Sequence, residues 1–196
     1  MGFGISFGIG FFGLLSLIGI IIQVVKPIKP ANLKDYVEKP SMWLQSTPCL
    51  IGSSLGLFCV IGSLGIGKIW GENSIYSITE AIGFIFFVLG FGIATWATKT
   101  MKNHLSEIAI LKDHKLVTSG AFAYSRHPIY LAILLLWIGA GLALGNIFLL
   151  ILFPITVYIQ IRRALVEEKL LIKHFGNEFI AYKKQTPMLV GIPHVQ

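Results

Sequence analysis

The sequence predicts an all-α integral membrane protein with about five transmembrane helices, the last two forming a short C-terminal hairpin, followed by a cytosolic helix. Three observations support this class. Of the 196 residues, 55% are hydrophobic and only 13% are charged, whereas a soluble domain has about 25% charged residues. The mean hydropathy is +0.77. Uncharged runs of roughly 20 residues, the length that crosses a bilayer, recur along the chain.

The first three spans are predicted within residues 1–98, the N-terminal part of the molecule. Apolar runs place them at residues 3–25, 49–67 and 76–98, and the third contains Glu80 near its start. The chain begins without a basic n-region or a small-residue cleavage site, so we expect no removable signal peptide.

Small residues within these spans are expected to let helices approach closely. Two pairs have the small-xxx-small spacing, Gly4 with Gly8 and Gly52 with Gly56, and we interpret both as packing inside the helix bundle. The two cysteines match no metal-ligand or redox spacing and are interpreted as packing residues.

The C-terminal half, residues 99–196, is predicted to contain the helical hairpin. Residues 128–161 carry no charge over 34 positions, which as one helix would measure about 50 Å against a hydrocarbon core of about 30 Å. The chain must therefore fold back. We place the turn at Leu144-Gly145-Asn146, because Gly and Asn tolerate left-handed conformations. The hairpin separates a connector, residues 99–127, from a polar helix and tail, residues 162–196.

The cations are sorted to one side of the predicted membrane. Five spans put the loop at residues 26–47, the connector and the C-terminal segment on one face, and these hold all the lysines and arginines except Lys68. The positive-inside rule makes this face cytosolic, with the N-terminus outside and the C-terminus inside. Membrane topology thus explains the net charge of +7 without a nucleic-acid partner. The host membrane, bacterial inner membrane or endoplasmic reticulum, is left open.

Two polar clusters flank the hairpin, HKLVTSGAFAYSRHPIY before it and RRALVEEKLLIKHFG after it. Because a hairpin returns the chain to its starting face, we expect His127 and Tyr130 to lie near Arg163 and Glu167. Arg163 and Glu167 are four residues apart and share a helix face. Ionisable groups at membrane depth are costly, so they usually mark a functional site.

Each cluster also has a purely structural interpretation. Pro128 suits the first turn of a helix, and Arg126 with His127 could extend to the lipid headgroups. Glu167 and Glu168 could form the solvated face of a cytosolic helix. The functional interpretation rests on the pairing of the two clusters across one hairpin.

The segments LVTSG, RHPIY and EEKLLIKHFGNEFIAYKKQTP occur in this order, and together they resemble the isoprenylcysteine carboxyl methyltransferase and phospholipid methyltransferase superfamily over residues 114–187. The resemblance implies a membrane-embedded S-adenosylmethionine site and a lipid, prenylated or other lipophilic acceptor. It places Arg163 on the substrate side. The cofactor-binding residues that it implies are His114, Lys115, Leu116, Val117, His127, Pro128, Ile129, Tyr130 and Glu167.

Two positions depart from the family pattern. Phe122 stands where the family usually has a cofactor-contacting Tyr, so we expect it in the cofactor site without a hydroxyl contact. Phe179 replaces a frequent Tyr in the FGxxY segment. The acceptor therefore stays open between a prenylated cysteine, a phospholipid amine and a small thiol.

The implied reaction is in-line displacement of the sulfonium methyl by a nucleophile on the acceptor. A carboxylate or thiolate acceptor needs no strong base, whereas an amine must be deprotonated, and His127 is then the candidate base. Arg163 is the candidate residue for holding an anionic acceptor. We expect no metal site, and the chain can act as a monomer.

Two other functions stay open at the level of sequence. A sterol-reductase-like NADPH enzyme has a similar RHxxY architecture, but it usually shows Asn before the Tyr and an HREXRD-like stretch where this chain has EEKLL. A non-enzymatic membrane scaffold would have no cofactor pocket and would tolerate Glu167→Ala.

Overall fold

The structure is a computed structural model that describes residues 2–25, 36–38, 42–69, 74–101, 110–111 and 116–190. Its helices are α1 (Gly2–Val25), α2 (Met42–Ser63), α3 (Ser74–Met101), α4 (Ala121–Tyr124), α5 (Pro128–Leu144), α6 (Ile147–Phe175) and α7 (Asn177–Gln185). Two short strands, β1 (Tyr36–Glu38) and β2 (Ile110–Leu111), pair in antiparallel orientation. The all-α class is confirmed.

Several helices have the length and composition of membrane spans. Three stretches are long and apolar enough to cross a bilayer, Ser46–Ser63, Ser77–Met101 and Ile147–Phe175. The helical stretches Ile5–Ile18 and Pro128–Leu144 are also apolar but shorter. These stretches lie in the five helices for which the sequence predicts spans, and the protein is integral to the membrane.

The second span differs from its predicted limits. The sequence places it at residues 49–67, whereas α2 begins at Met42, continues through Pro48 and ends at Ser63. Gly65 and Gly67 have positive φ angles of 80° and 78°. Because left-handed residues cannot continue a right-handed helix, α2 ends before them.

The hairpin turn lies where the sequence predicts it, between α5 and α6. Gly145 has a positive φ of 58°. The Asn146 side chain caps α6, because its Oδ1 accepts hydrogen bonds from the backbone N–H groups of Phe148 (3.0 Å) and Leu149 (3.2 Å). Its Nδ2 donates to the Ile66 carbonyl at 3.0 Å. One buried side chain thus joins the turn after α2 to the hairpin turn.

The second arm of the hairpin is longer than predicted. The sequence ends this arm at Arg162, but α6 passes through Arg162 and ends at Phe175. No Gly or Pro interrupts the helix after Arg162 until Gly176, which has a positive φ of 53°. The uncharged arm and the charged cluster therefore belong to one continuous helix.

The chain divides into two compact units, and the first contains the described parts of Met1–Pro30, Ser46–Gly90 and Leu134–Val157. Close helix contacts in this unit depend on glycines. A Cβ added at Gly83 would lie 2.7 Å from the carbonyl oxygen of Gly139, so a side chain there would force the two helices apart.

The predicted packing pairs are only partly found in this unit. A Cβ at Gly56 would lie 2.9 Å from the Gly13 carbonyl oxygen, so Gly56 does allow a close approach between α1 and α2. A Cβ at Gly8 would meet no described atom within 4 Å. The packing role predicted for Gly8 is therefore wrong, and Gly13 takes it.

The second unit contains the described parts of Ala31–Gln45, Phe91–Ile133 and Tyr158–Gln196. It includes α4, the start of α5, the charged part of α6, and α7. Gly120, with a φ of 60°, allows the chain before α4 to approach the end of α3, because a Cβ there would lie 2.6 Å from Thr100 Oγ1. All the predicted site residues that the structure describes belong to this unit.

Candidate functional site

The site begins at His127, the residue before α5. Pro128 is buried and opens the helix, and the His127 carbonyl accepts the first helical hydrogen bond from the Leu131 N–H at 3.1 Å. Proline suits this position because its missing N–H would have no partner in the first turn. The His127 imidazole is 5% exposed and stacks on the Tyr130 ring, with 5.2 Å between centroids and 7° between planes.

Glu167 joins this segment to α6. The Tyr130 hydroxyl donates to Glu167 Oε2 at 2.8 Å, and His127 Nδ1 lies 3.5 Å from the same oxygen. The Glu167 side chain is 29% exposed, and both contacts use Oε2, so Oε1 is available to another donor. The proximity that the hairpin predicts for these residues is present.

Arg163 lies one turn before Glu167 on α6. Its guanidinium carbon is 5.1 Å from the centroid of the Tyr130 ring, which is a cation–π distance. Arg163 is only 3% exposed, yet its Nε and Nη1 have no hydrogen-bond partner among the described residues. A buried guanidinium with free donors is costly unless a ligand completes it.

Gln160 lies on the same side of α6 as Arg163, almost one turn earlier in the helix. Its side chain is 0% exposed, and neither its amide oxygen nor its amide nitrogen has a partner in the described part of the chain. The sequence interpretation did not single out this residue. The sequence feature that could have identified it is a side-chain amide in an apolar segment, three residues before Arg163.

Glu168 forms a second centre, which is fully paired. Its Oε1 accepts from Arg126 Nε at 2.8 Å and lies 2.7 Å from Arg126 Nη2, and its Oε2 accepts from Lys183 Nζ at 2.6 Å. His127 Nε2 lies 3.4 Å from Oε1. Glu168 is 1% exposed. The solvated-face interpretation of Glu168 and the headgroup interpretation of Arg126 are therefore wrong.

The two carboxylates determine the charge of His127. Burial lowers the pKa of His127, but hydrogen bonds and the negative charges of Glu167 and Glu168 outweigh burial and raise the pKa above its ordinary value. The two glutamates therefore favour the cationic form of the imidazole.

The segment after α7 fixes the backbone around His127. The N–H groups of Arg126 and His127 donate to the carbonyls of Pro187 (2.9 Å) and Met188 (3.1 Å), and the Ser125 hydroxyl also donates to Met188 (3.1 Å). Arg126 Nη1 additionally donates to the Thr186 carbonyl. From the sequence this segment is only a proline-containing tail, yet its carbonyls hold the loop before α5.

Phe122 is held through its backbone. The Tyr182 hydroxyl donates to the Phe122 carbonyl at 2.6 Å, and the Tyr182 ring packs edge-to-face against the buried Phe179, with 5.9 Å between centroids. Burial raises the pKa of Tyr182 above its ordinary value, so it remains a neutral donor. Tyr182 thus contacts both phenylalanines that replace family tyrosines, Phe122 at its carbonyl and Phe179 at its ring.

The structure gives only the burial and local conformation of the remaining predicted cofactor residues that it describes. Leu116 and Val117 are half-buried in irregular chain before α4, and Ile129 is half-buried in the first turn of α5. His114 and Lys115 lie outside the described residues. Within the described ranges, no three metal-ligating side chains come together.

Comparison with known proteins identifies the relatives of this chain. Residues 78–178 match the model of the family described as phospholipid methyltransferase. The protein-S-isoprenylcysteine O-methyltransferase of Schizosaccharomyces pombe is 32% identical over 206 residues, covering 97% of this chain and 85% of that protein. The chain belongs to the isoprenylcysteine and phospholipid methyltransferase superfamily.

Two further relatives have the same description. The protein-S-isoprenylcysteine O-methyltransferase of Saccharomyces cerevisiae is 34% identical over 65% of this chain and 54% of its own length. That of Rattus norvegicus is 30% identical over 65% of this chain and 45% of its own length. The chain thus spans about half the length of these two relatives.

Membership of this superfamily defines the class of the enzyme. The chain is an integral membrane methyltransferase that acts on a lipophilic acceptor, and it requires a methyl donor. Neither the family match nor the relatives support the reductase or the scaffold interpretation.

Proposed function

We propose that this protein transfers the methyl group of S-adenosylmethionine to the carboxylate of a C-terminal prenylated cysteine. The observation that carries the proposal is Arg163, a buried guanidinium with two nitrogens that have no partner in the part of the chain that the structure describes. A carboxylate is the natural partner of such a group, because charge-assisted hydrogen bonds to arginine are strong and directional. The descriptions of the relatives point to the same acceptor.

The residues around Arg163 fit the proposed cofactor. When bound, S-adenosylmethionine supplies an electrophilic methyl group on a sulfonium, together with ribose hydroxyls, an ammonium and a carboxylate. Glu167 Oε1 would accept from the ribose or the ammonium, and His127, whose Nδ1 lies 3.5 Å from Glu167 Oε2, would orient this carboxylate toward the cofactor. The backbone of Leu116 and Val117 would hold the adenine edge, with the neighbouring residues 114–115 and Phe122 completing that end.

The charge of His127 favours a carboxylate acceptor over an amine. A general base must be neutral to take a proton, but Glu167 and Glu168 raise the pKa of His127 and so favour its cationic form. A carboxylate requires no deprotonation. Arg163 would orient it, and the apolar surroundings would strip water from the reacting oxygen.

We propose that the catalytic part of the chain, residues 99–196, presents its charged cluster to the cytosol. The support is the placement of the cations on one predicted face, which puts the N-terminus outside and the C-terminus inside. Fusing a reporter that is active only in the cytosol to either terminus tests this topology. We expect signal from the C-terminal fusion alone, and signal from only the N-terminal fusion would reverse the orientation.

An acceptor panel tests the reaction. Detergent-purified protein would be incubated with labelled S-adenosylmethionine and either N-acetyl-S-farnesylcysteine or phosphatidylethanolamine. We expect methyl transfer to the former only, and Arg163→Met should lower kcat/KM by at least about 100-fold. Arg162→Met is the matched control, because Arg162 is exposed on the same helix. Transfer to the amine, or full activity of Arg163→Met, would contradict the proposal.

A further inference from the structure

Gln160 is a buried polar group that the reaction outlined above does not use. Its amide is fully buried, and both polar atoms lack partners among the described residues. Buried side-chain amides are nearly always hydrogen-bonded. An amide without partners among the described residues therefore indicates a hydrogen bond that a ligand supplies.

The position of Gln160 on α6 indicates which ligand this is. Residues three apart on a helix are neighbours on one face, with about 5–6 Å between Cβ atoms, so Gln160 lies beside Arg163. The intervening Ile161 and Arg162 are exposed, whereas Ala164 is fully buried. The buried face of α6 therefore presents an amide and a guanidinium side by side.

Gln160 and the proposed cofactor residue Glu167 lie in opposite directions from Arg163 along α6. Glu167 lies seven residues after Gln160, toward the charged end of the helix, where His127 and Tyr130 contact it. On the other side of Gln160, residues 147–159 carry no charge. Gln160 thus lies on the apolar side of Arg163 along α6, away from Glu167.

We infer that Gln160 is a specificity-determining residue that hydrogen-bonds the backbone amide of the acceptor's terminal cysteine. The inference rests on the proposed function. In a C-terminal cysteine the carboxylate and the amide nitrogen are attached to the same carbon, so both fall within reach of two neighbouring side chains. With the carboxylate on Arg163, the amide N–H donates to the Gln160 side-chain oxygen. An acceptor without the amide leaves Gln160 unpaired and is disfavoured.

Two acceptors that differ only at this amide test the inference. One is N-acetyl-S-farnesylcysteine, and the other is the farnesyl thioether of 3-mercaptopropionate, which keeps the carboxylate and the lipid but lacks the acetamido group. We expect the wild-type enzyme to favour the first by at least about ten-fold in kcat/KM. In Gln160→Met we expect less than about three-fold preference, with unchanged affinity for S-adenosylhomocysteine.

Matched variants separate recognition from folding. Thr156→Val removes a buried hydroxyl from the same helix, but that hydroxyl is already bonded to the Leu152 carbonyl at 3.1 Å, so this variant should keep the preference. Replacing an unpaired buried amide with an apolar side chain should not lower the thermal midpoint. Gln160→Leu provides a second variant with a different shape and the same expectation.

Each contrary outcome has a distinct meaning. Equal use of both acceptors by the wild-type enzyme, or a preference that survives in Gln160→Met and Gln160→Leu, would overturn the inference and leave the proposed function standing. Weakened binding of S-adenosylhomocysteine with an unchanged preference would assign Gln160 to the cofactor instead. Methylation of neither acceptor would overturn the proposed function, and the inference with it.

Discussion

Glu168 and Arg163 illustrate two different uses of a buried charge on one helix. Glu168 has Arg126 and Lys183 as hydrogen-bonded partners and His127 at 3.4 Å, so its charge is neutralised within the protein and its role is structural. Arg163 lies over the face of the Tyr130 ring and interacts electrostatically with Glu167, but two of its nitrogens have no hydrogen-bond partner in the described chain. The proposed ligand therefore binds at Arg163 rather than at Glu168.

The hydrogen bond from Tyr130 to Glu167 gives a prediction for cofactor affinity. Tyr130→Phe keeps the stack on His127 but removes the donor that orients Glu167. We expect the Kd for S-adenosylhomocysteine to rise about 3- to 10-fold, as for the loss of one hydrogen bond, when measured by calorimetry. Tyr158→Phe, at an exposed tyrosine of the same protein, should leave the Kd unchanged. Equal effects of the two variants would exclude this role for Tyr130.

The raised pKa of His127 gives a prediction for pH. Its ordinary pKa is about 6.5, and in the folded protein the pKa is higher because of Glu167 and Glu168. The stabilisation is therefore complete below about pH 6.5 and is lost as pH rises through the folded-state pKa. We expect the thermal midpoint to fall over that range, and less steeply in His127→Gln. His174→Gln, at an exposed histidine, should keep the wild-type slope, whereas a wild-type slope in His127→Gln would refute the assignment.

Sequence reasoning found only part of the site for a physical reason. The spacing of Arg163 and Glu167 and the return of the hairpin depend on local rules, so their proximity to His127 was predictable. The burial of Glu168 depends on Lys183, which lies on another helix, and Gln160 differs from its neighbours only in burial. Neither property is encoded by local spacing.

At the scale of elements, the contact between α3 and α5 depends on Gly83. A Cβ there would lie 2.7 Å from the Gly139 carbonyl oxygen, whereas a Cβ at Gly92 of the same helix meets no described atom within 4 Å. We expect Gly83→Ala to destabilise the protein by about 1–3 kcal/mol and Gly92→Ala to be neutral or stabilising by up to about 1 kcal/mol. Thermal unfolding in detergent measures both. A neutral Gly83→Ala would show that the helices can separate without cost.

The elements themselves were largely predictable, and their ends were not. Hydropathy identifies the apolar runs because each must match the bilayer thickness, and the adjacent Gly145 and Asn146 mark where the 34-residue run turns. The end of α2 depends on the left-handed Gly65 and Gly67. α6 continues to Phe175 because no Gly or Pro occurs between Arg162 and Gly176. The change in polarity at Arg162 obscured this continuity in the sequence.

At the scale of the whole molecule, distant parts of the sequence converge on the loop before α5. The carbonyls of Pro187 and Met188 accept from the N–H groups of Arg126 and His127. We expect a chain ending after Gln185 to bind S-adenosylhomocysteine at least about 10-fold more weakly, because these buried donors lose their partners. A chain ending after Val190 keeps all the contacts described here and is the control. Equal affinity of the two truncated proteins would contradict a positioning role for this segment.

The chemical bond formed in the product tests the central claim most directly. Wild-type protein and Arg163→Met would be incubated with methyl-tritiated S-adenosylmethionine and N-acetyl-S-farnesylcysteine, and the product would then be treated with base. A methyl ester releases its label as methanol, whereas a methyl group on nitrogen or sulfur stays attached. If the enzyme methylates a carboxylate held by Arg163, the wild type should give base-labile label and Arg163→Met should give almost none. Base-stable label, or equal base-labile label from both proteins, would contradict it.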